Sequence, residues 1–300
     1  MHIGIVIPTH DAAPWIADAI GSVIAQTYAD WSAVVVDDGS TDATAAITDR
    51  FLADPRVTLI RLDRGGVSAT RNRGIAVCRP AEALLFLDAD DWLAPDALAR
   101  LTRALQADPN AVAACGSAGF VAEQAQPGAR PGRVLRCRGG DVLPRLLVRN
   151  LFANGGHVLV RTGAVRAAGG FRPDLAYGED WEFFTRIAAL GGFARALGRE
   201  PVLFVRRRPN GAYLRMATDP ASFAPCMKAI FANPALPARF GTRRLTSIRA
   251  RAEAENAWVI GRALLARGRS EGRAYLRRSL AAKPTFTRVA MAAVAHLRTG

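Results

Sequence analysis

Glu82 to Leu93 reads E-A-L-L-F-L-D-A-D-D-W-L, placing Asp88, Asp90 and Asp91 directly behind a short apolar run. Leu84 to Leu87 is far too short to span a membrane and suits a buried strand. Three carboxylates so close together repel one another, so the fold must hydrate them, raise the pKa of one, or give them a shared cation. Mg²⁺ and Mn²⁺ take oxygen ligands, commonly one or two carboxylates completed by water and substrate phosphates, and an Asp-x-Asp at a strand end matches that chemistry. The competing reading makes Asp91 a helix cap and leaves the other two acids in water.

The elements that must carry this cluster can be read along the first half of the chain. His2 to Pro8 is a strand, Pro14 to Gln26 a helix, and Trp31 to Asp37 a valine-rich strand. Thr44 to Leu52 is helical, Val57 to Leu62 a strand, Val67 to Cys78 a helix, Leu84 to Leu87 a strand and Pro95 to Ala107 a helix. Such alternation predicts an α/β fold, a largely parallel sheet covered on both faces, in which ligands bind at the carboxyl ends of the strands. Thr9 and Asp11, Asp37 and Asp38, and Asp88 to Asp91 all follow strands at such ends.

Two further strings add chemistry. In V-V-V-D-D-G-S-T-D, Val34 to Asp42, turn geometry and capping explain Gly39, Ser40, Thr41 and Asp42. Asp37 is left over, and its carboxylate can accept from a nucleobase N–H or a ribose hydroxyl. In G-G-V-S-A-T-R-N-R-G, Gly65 to Gly74, two glycines open a helix whose N–H groups, with the Arg71 guanidinium, can face phosphate.

V-I-P-T-H-D, S-V-I-A-Q-T-Y, V-V-V-D-D-G-S-T-D, A-T-R-N-R-G and L-F-L-D-A-D-D, in this order and spacing, resemble the nucleotide-binding half of family 2 glycosyltransferases, which have the GT-A fold. The likeness is close over residues 3–105 and looser to about 215. It implies that Pro8, Thr9 and Asp11 border the base and ribose, that Asp37 or Asp38 contacts the uracil or ribose, and that Arg71 positions the donor. It implies further that Asp88 reaches the ribose or metal waters and that Asp90 binds the divalent ion, Mg²⁺ or Mn²⁺, bridging the diphosphate. Asp11 stands where the family usually has Asn.

Later in the chain, G-G-F-R-P and G-E-D-W-E-F, Gly169 to Pro173 and Gly178 to Phe183, resemble the acceptor-side motif of the same family. Helix capping accounts for Glu179 and Asp180 on their own. The resemblance instead makes Asp180 the general base, with Glu179 beside it shaping the metal or acceptor environment. A base opposite the diphosphate permits in-line attack, which predicts inversion at the anomeric carbon. Trp181 offers either a flat surface for a sugar ring or core packing. The strand running into Arg206, Arg207 and Arg208 stands where the family closes over the diphosphate, a role carried to Arg208; a solvated basic loop is the other reading. Glu123 to Gly140, rich in Gly, Pro, Gln and Arg, reads as an exposed insertion. The four histidines show no ligand spacing.

The net charge of +14 is unevenly spread: −6 over the first hundred residues, +5 over the second and +15 over the third. Helices are expected at Arg243 to Ala266 and Ser270 to Ala282, with Pro284 ending the second and another helix from about Thr287. They divide the chain into a GT-A domain at 1–217, with a nucleotide-sugar half at 1–110 and an acceptor half at 111–217, and a basic helical extension at 218–300. A solvated helical face explains the basic charge, and so does an anionic membrane surface. Cys78, Cys115, Cys137 and Cys226 form no Cys-x-x-Cys pair, and no basic start precedes the first strand, which points to a reducing, cytoplasmic compartment.

The expected activity is an inverting, metal-dependent transfer of a sugar from a nucleotide donor, UDP-linked, to a glycan or lipid-linked hydroxyl in polysaccharide or glycolipid synthesis. A sugar nucleotidyltransferase of the same fold would carry a Gly-rich activating loop after the first strand, and Thr9-His10-Asp11 is not one. A non-catalytic polyanion or nucleic-acid binder would use the basic third, but that region is sparse in aromatics and leaves the acidic strand ends unexplained. No nucleic-acid partner is expected.

Overall fold

The computed structural model describes residues 1–78, 80–208, 221 and 224–282. The chain forms two compact units. One comprises Met1–Val142, Phe152–Leu175 and Arg186–Arg208, and the other Leu143–Leu151, Ala176–Thr185 and Pro209–Gly300. The helical unit thus takes in two segments that precede the boundary expected at residue 217.

In the larger unit the order is β1 (Ile3–Thr9), α1 (Ile16–Ile24), β2 (Trp31–Asp38), α2 (Thr44–Asp49), β3 (Val57–Leu62), α3 (Val67–Val77), β4 (Ala83–Phe86), β5 (Trp92–Leu93), α4 (Ala97–Ala107), β6 (Ala113–Cys115), β7 (Ala118–Ala122) and β8 (Arg133–Leu135). After α5 (Leu143–Leu146), which belongs to the other unit, come a 3₁₀ turn at Gly155–His157, β9 (Val158–Arg161) and α6 (Thr162–Ala168). Next are α7 (Glu179–Leu190), whose first half groups with the helical unit, β10 (Phe193–Arg195) and β11 (Leu203–Arg207). A seven-stranded sheet runs β10-β6-β9-β4-β1-β2-β3, parallel except for β9.

Every residue of β1 and β4 is buried, as continuous apolar strands covered on both faces must be. Ile5, Ile7, Ile16, Ile20, Val35, Leu85 and Leu98 belong to one core. Gly74 lets α3 lie directly on β1, since a Cβ there would come within 2.3 Å of Val6 Cγ1.

A second sheet, β5-β11-β7-β8, was not expected as a sheet, although β11 is the strand expected to run into the late arginines. Its strands are short, and pairing between distant segments, not local periodicity, defines them. Trp92 pairs Phe204 and Leu93 pairs Leu203, so the chain leaving the three aspartates is zipped antiparallel to the strand carrying the late arginines. The 123–140 insertion is likewise not wholly irregular: it contains β8, and a disulfide ties Cys137 to Cys115 on β6. That pairing removes the basis on which the cysteine spacing pointed to a reducing compartment, because two cysteines 22 residues apart need no local motif to meet.

In the helical unit, helices run at Ala224–Phe231, Ala235–Phe240, Thr242–Leu265 and Gly272–Ala282. The last two agree with expectation within two residues, and Ile260, Leu264, Tyr275 and Tyr177 pack together in this unit. No helix among the described residues is long and apolar enough to cross a membrane. The expected stop at Pro284 and the helix from Thr287 lie outside the described residues.

Candidate active site

β1, β2 and β4 are parallel neighbours, so their carboxyl ends open on one edge and present Thr9 and Asp11, Asp37 and Asp38, and Asp88 to Asp91 together. Pro8 lies within buried β1. The Thr9 hydroxyl is buried with no hydrogen-bond partner among the described residues, a vacancy that a polar ligand group fits.

Asp11 sits at φ +45°, and its Oδ1 accepts from the Thr41 N–H at 2.8 Å. That bond is the main cause holding its carboxyl below the usual range. An Asp in place of Asn therefore acts here as a clamp on the 39–42 turn. Asp38 accepts from Gly65 N at 2.7 Å and Gly66 N at 2.9 Å, fixing the start of α3, where Gly66 adopts φ +87°. Asp37 Oδ1 accepts from Ser40 N at 3.0 Å and from its hydroxyl at 2.5 Å. Both acids therefore shape turns at the strand edge.

Ligand oxygens of Asp88, Asp90 and Asp91 lie within 4.8 Å of one another, and this all-oxygen donor set fits Mg²⁺ or Mn²⁺. The three are nonetheless unequal. Asp88 is paired with Arg71 (Nη2 to Oδ1, 2.9 Å), whose guanidinium also lies 5.1 Å from the Phe171 ring centroid. Asp91 is fully buried, accepting from Arg206 N at 2.9 Å on Oδ1 and from Asn154 Nδ2 at 2.5 Å on Oδ2. Burial, reinforced by the charges of Asp90 and Asp88, drives its pKa well above the ordinary carboxylate value. Asp91 is a framework residue, tying β11 and the 154 turn to the acidic corner. Asp90 faces Arg208 (Nη2 to Oδ2, 2.7 Å), and burial, then the Asp88 charge, raises its pKa against the opposing pull of Arg208. Among the described residues, Arg208 is the one side chain that pairs with the Asp90 carboxylate.

Within the helical unit, Asp180 lies in the first turn of α7, with its Oδ1 accepting from Trp181 N at 2.6 Å and its Oδ2 3.5 Å from Asn150 Nδ2. Glu179 and Glu182 share that first turn, where the helix dipole favours acids. Trp181 is buried and donates its indole N–H to Leu146 O at 2.7 Å, which is core packing and not an open platform for a sugar.

The sequence profile of Glycosyl transferase family 2 matches residues 4–161, more than half of the chain. The chain belongs to this family. Among the relatives of this family 2 chain, the succinoglycan biosynthesis protein ExoO of Rhizobium meliloti is 42% identical over 97 residues, 32% of this chain and 27% of ExoO. The chain matches a third or less of the length of the first curated relatives. Among solved structures, TarS 1–349 of S. aureus superposes with a TM-score of 0.64 at 16% identity, covering 95% of this chain and 81% of that one. The mannosyltransferase PcManGT of Pyrobaculum calidifontis, solved with GDP-Man and Mn²⁺, gives 0.59 at 22% identity, covering 99% and 80%. At these identities the likeness establishes the GT-A fold.

Several residues of the family 2 chain to which the sequence assigned no role build the site. Arg206 pairs with Asp18, donates to Asp90 O at 2.7 Å and lies 4.5 Å from the Trp92 ring centroid. Gln26 donates to Ser22 O and Ala94 O and accepts from Leu98 N, locking α1 to the segment that follows the aspartates. An uncharged polar residue at the end of an apolar helix was the available signal for Gln26; nothing local marked Arg206 or Asn154.

Proposed function

We propose that this chain is an inverting glycosyltransferase that moves a sugar from a nucleoside diphosphate donor, UDP-linked, to a hydroxyl acceptor in polysaccharide or glycolipid synthesis. The observation that carries this reading is the division of labour in the acidic corner. Asp91 is consumed by the fold and Asp88 is held by the buried Arg71, while the Asp90 carboxylate pairs with the partly exposed Arg208, with the Arg206 charge a weaker influence on it. Asp90, aided by Asp88, would hold the Mg²⁺ or Mn²⁺, which when bound neutralises charge developing on the leaving diphosphate.

Thr9 and Asp37 or Asp38 would receive the base and ribose, Asp11 would hold their turn in shape, and Arg71 would orient the donor through Asp88. Asp180 is the carboxylate proposed to take the acceptor proton, with Glu179 beside it. TarS has been solved with UDP and with UDP-GlcNAc, which supports the UDP-linked reading, and PcManGT with GDP-Man, which makes GDP the competitor to test.

Thermal unfolding with UDP, GDP, dTDP and CDP, with and without Mn²⁺, tests the donor half. One nucleotide is expected to raise the midpoint in the presence of Mn²⁺, and the rise to vanish in Asp90→Ala. Failure of all four to shift the midpoint would sink the donor reading. Asp180→Asn is expected to abolish transfer while leaving that shift intact, and retention of transfer would remove Asp180 as base.

A second contact is proposed from charge. Residues 224–282 hold twelve Lys or Arg against three Glu. Exposed Arg244, Arg251 and Arg262, spaced seven and eleven apart on one long helix, fall on a common face. An anionic bilayer, where lipid-linked acceptors reside, is the partner this suits. Sedimentation with anionic vesicles at low salt, lost at high salt, is the expected outcome; no sedimentation at low salt would remove the contact.

A further inference from the structure

Two arginines two residues apart treat the acidic corner in opposite ways. The Arg206 side chain is 1% exposed and fixed by Asp18, Asp90 O, Ala125 O at 3.0 Å and the face of Trp92. The Arg208 side chain is 34% exposed, stacks 4.7 Å from the Trp15 ring centroid and pairs with Asp90 Oδ2 at 2.7 Å. Arg206 belongs to the frame, whereas Arg208, among the described residues, is held by two contacts and keeps a third of its side chain exposed.

The carboxylate that Arg208 occupies is the one that, among the described residues, pairs with no other side chain. A guanidinium at hydrogen-bond distance cannot share Oδ2 with a divalent cation without strong repulsion. The same planar fork binds phosphate as readily as carboxylate, and a diphosphate offers it more charge than one aspartate does. We propose that Arg208 is an exchangeable counter-ion for Asp90, excluding the divalent cation until the donor's diphosphate draws the guanidinium away. Cation and nucleotide then bind cooperatively through this side chain. The coupling is reciprocal, so each ligand tightens the other by the same factor. This rests on the reading of Asp90 as the cation ligand and adds the order and mutual dependence of loading.

Calorimetric titration of the full chain with Mn²⁺ alone tests it, comparing wild type, Arg208→Gln and Arg207→Gln, with Asp90→Ala as reference. Arg207 is the exposed neighbour, so its removal makes the same change in net charge without touching Asp90. Arg208→Gln is expected to bind Mn²⁺ about tenfold more tightly than wild type, in the usual range of such couplings, with Arg207→Gln within about twofold of wild type. In the presence of the nucleotide that most raises the melting midpoint among UDP, GDP, dTDP and CDP, Mn²⁺ affinity should rise more in wild type than in Arg208→Gln.

Equal Mn²⁺ affinity in wild type and Arg208→Gln, or equal tightening by both arginine substitutions, overturns the counter-ion while leaving Asp90 as ligand. Mn²⁺ binding that is absent throughout, or that survives in Asp90→Ala, overturns the cation reading itself and the counter-ion with it.

Discussion

Arg71 and Asp88 are joined across the strand edge by a 2.9 Å ion pair in which the arginine is buried and the aspartate half-exposed. Removing the guanidinium leaves Asp88 beside Asp90 and Asp91 with no compensating charge from α3. Arg71→Met is expected to lose the nucleotide-dependent rise in melting midpoint. It should also lower stability by about 2 kcal/mol, below the range for wholly buried pairs because water reaches Asp88. Urea unfolding and the nucleotide panel read the two effects separately.

Asp90 and Asp91 are adjacent and their substitutions should differ in kind. Asp91→Ala strips Arg206 N and Asn154 Nδ2 of their acceptor at a buried site and is expected to cost roughly 3 kcal/mol. Asp90→Ala removes a carboxylate repelled by Asp88, so stability should change by no more than about 1 kcal/mol while Mn²⁺ binding disappears. Urea midpoints and Mn²⁺ titration on both variants check this; the reverse pattern would exchange the two assignments.

How much of this was legible in the sequence depended on the range of the interaction that decides it. β1 to β4 and α1 to α4 were readable because an apolar run or a helical period is a local property, and their bounds differ from expectation by three residues at most. The second sheet was not, because β5 has two residues and β8 three, and the short β6 and β10 of the first sheet, three residues each, were missed for the same reason. The acids of the site announce themselves as charges at strand ends, but their division of labour does not. Asp91 becomes a framework residue only because Asn154 and Arg206, 63 and 115 positions away, close on it. Trp181 shows the same limit, since an aromatic beside two acids reads as ligand or core until Leu146 O is found at its indole N–H.

His157 is fully buried, with Nδ1 2.8 Å from Gly116 O and Nε2 3.0 Å from Ala153 N. The only neutral arrangement that satisfies both has the proton on Nδ1 and the lone pair of Nε2 accepting from Ala153, so a second proton would face an N–H. Burial lowers its pKa from 6.5 to about 4. Between those values the unfolded chain binds more proton than the folded one. The contribution, roughly 3 kcal/mol, is therefore complete above pH 6.5 and is lost as pH falls towards 4. Denaturant midpoints at pH 7.5 and 5 should fall more steeply in wild type than in His157→Gln; parallel slopes would count against this residue as the cause.

The Cys115–Cys137 bridge closes a 22-residue separation around β7 and β8. Loop-closure entropy assigns such a crosslink roughly 3 kcal/mol. The oxidised protein, denatured without reductant, should show two titratable thiols, those of Cys78 and Cys226, and dithiothreitol should lower its unfolding midpoint. Cys137→Ser should start at the lower midpoint and ignore the reductant; four thiols in the untreated protein would remove the bridge.

Gln26 links α1 to the far side of the acidic corner without touching it. Its amide nitrogen donates to Ser22 O at 2.9 Å and Ala94 O at 2.7 Å, and its oxygen accepts from Leu98 N at 2.9 Å. Ser22 Oγ accepts from Leu93 N at 3.0 Å, so two polar residues one helical turn apart hold both ends of the 93–98 segment. Gln26→Leu keeps the volume and removes every bond, leaving a buried carbonyl and N–H unpaired. It is expected to destabilise the fold by about 2 to 3 kcal/mol. Because β5 begins one residue after Asp91, loosening this clamp should also weaken Mn²⁺ binding several-fold, although Gln26 is no candidate ligand. Gln26→Glu retains the acceptor for Leu98 and loses only the donors, so it should recover part of the stability at pH values where the carboxyl is protonated. Urea unfolding and Mn²⁺ titration of the two variants separate the clamp from simple packing, which would leave cation affinity unchanged in both.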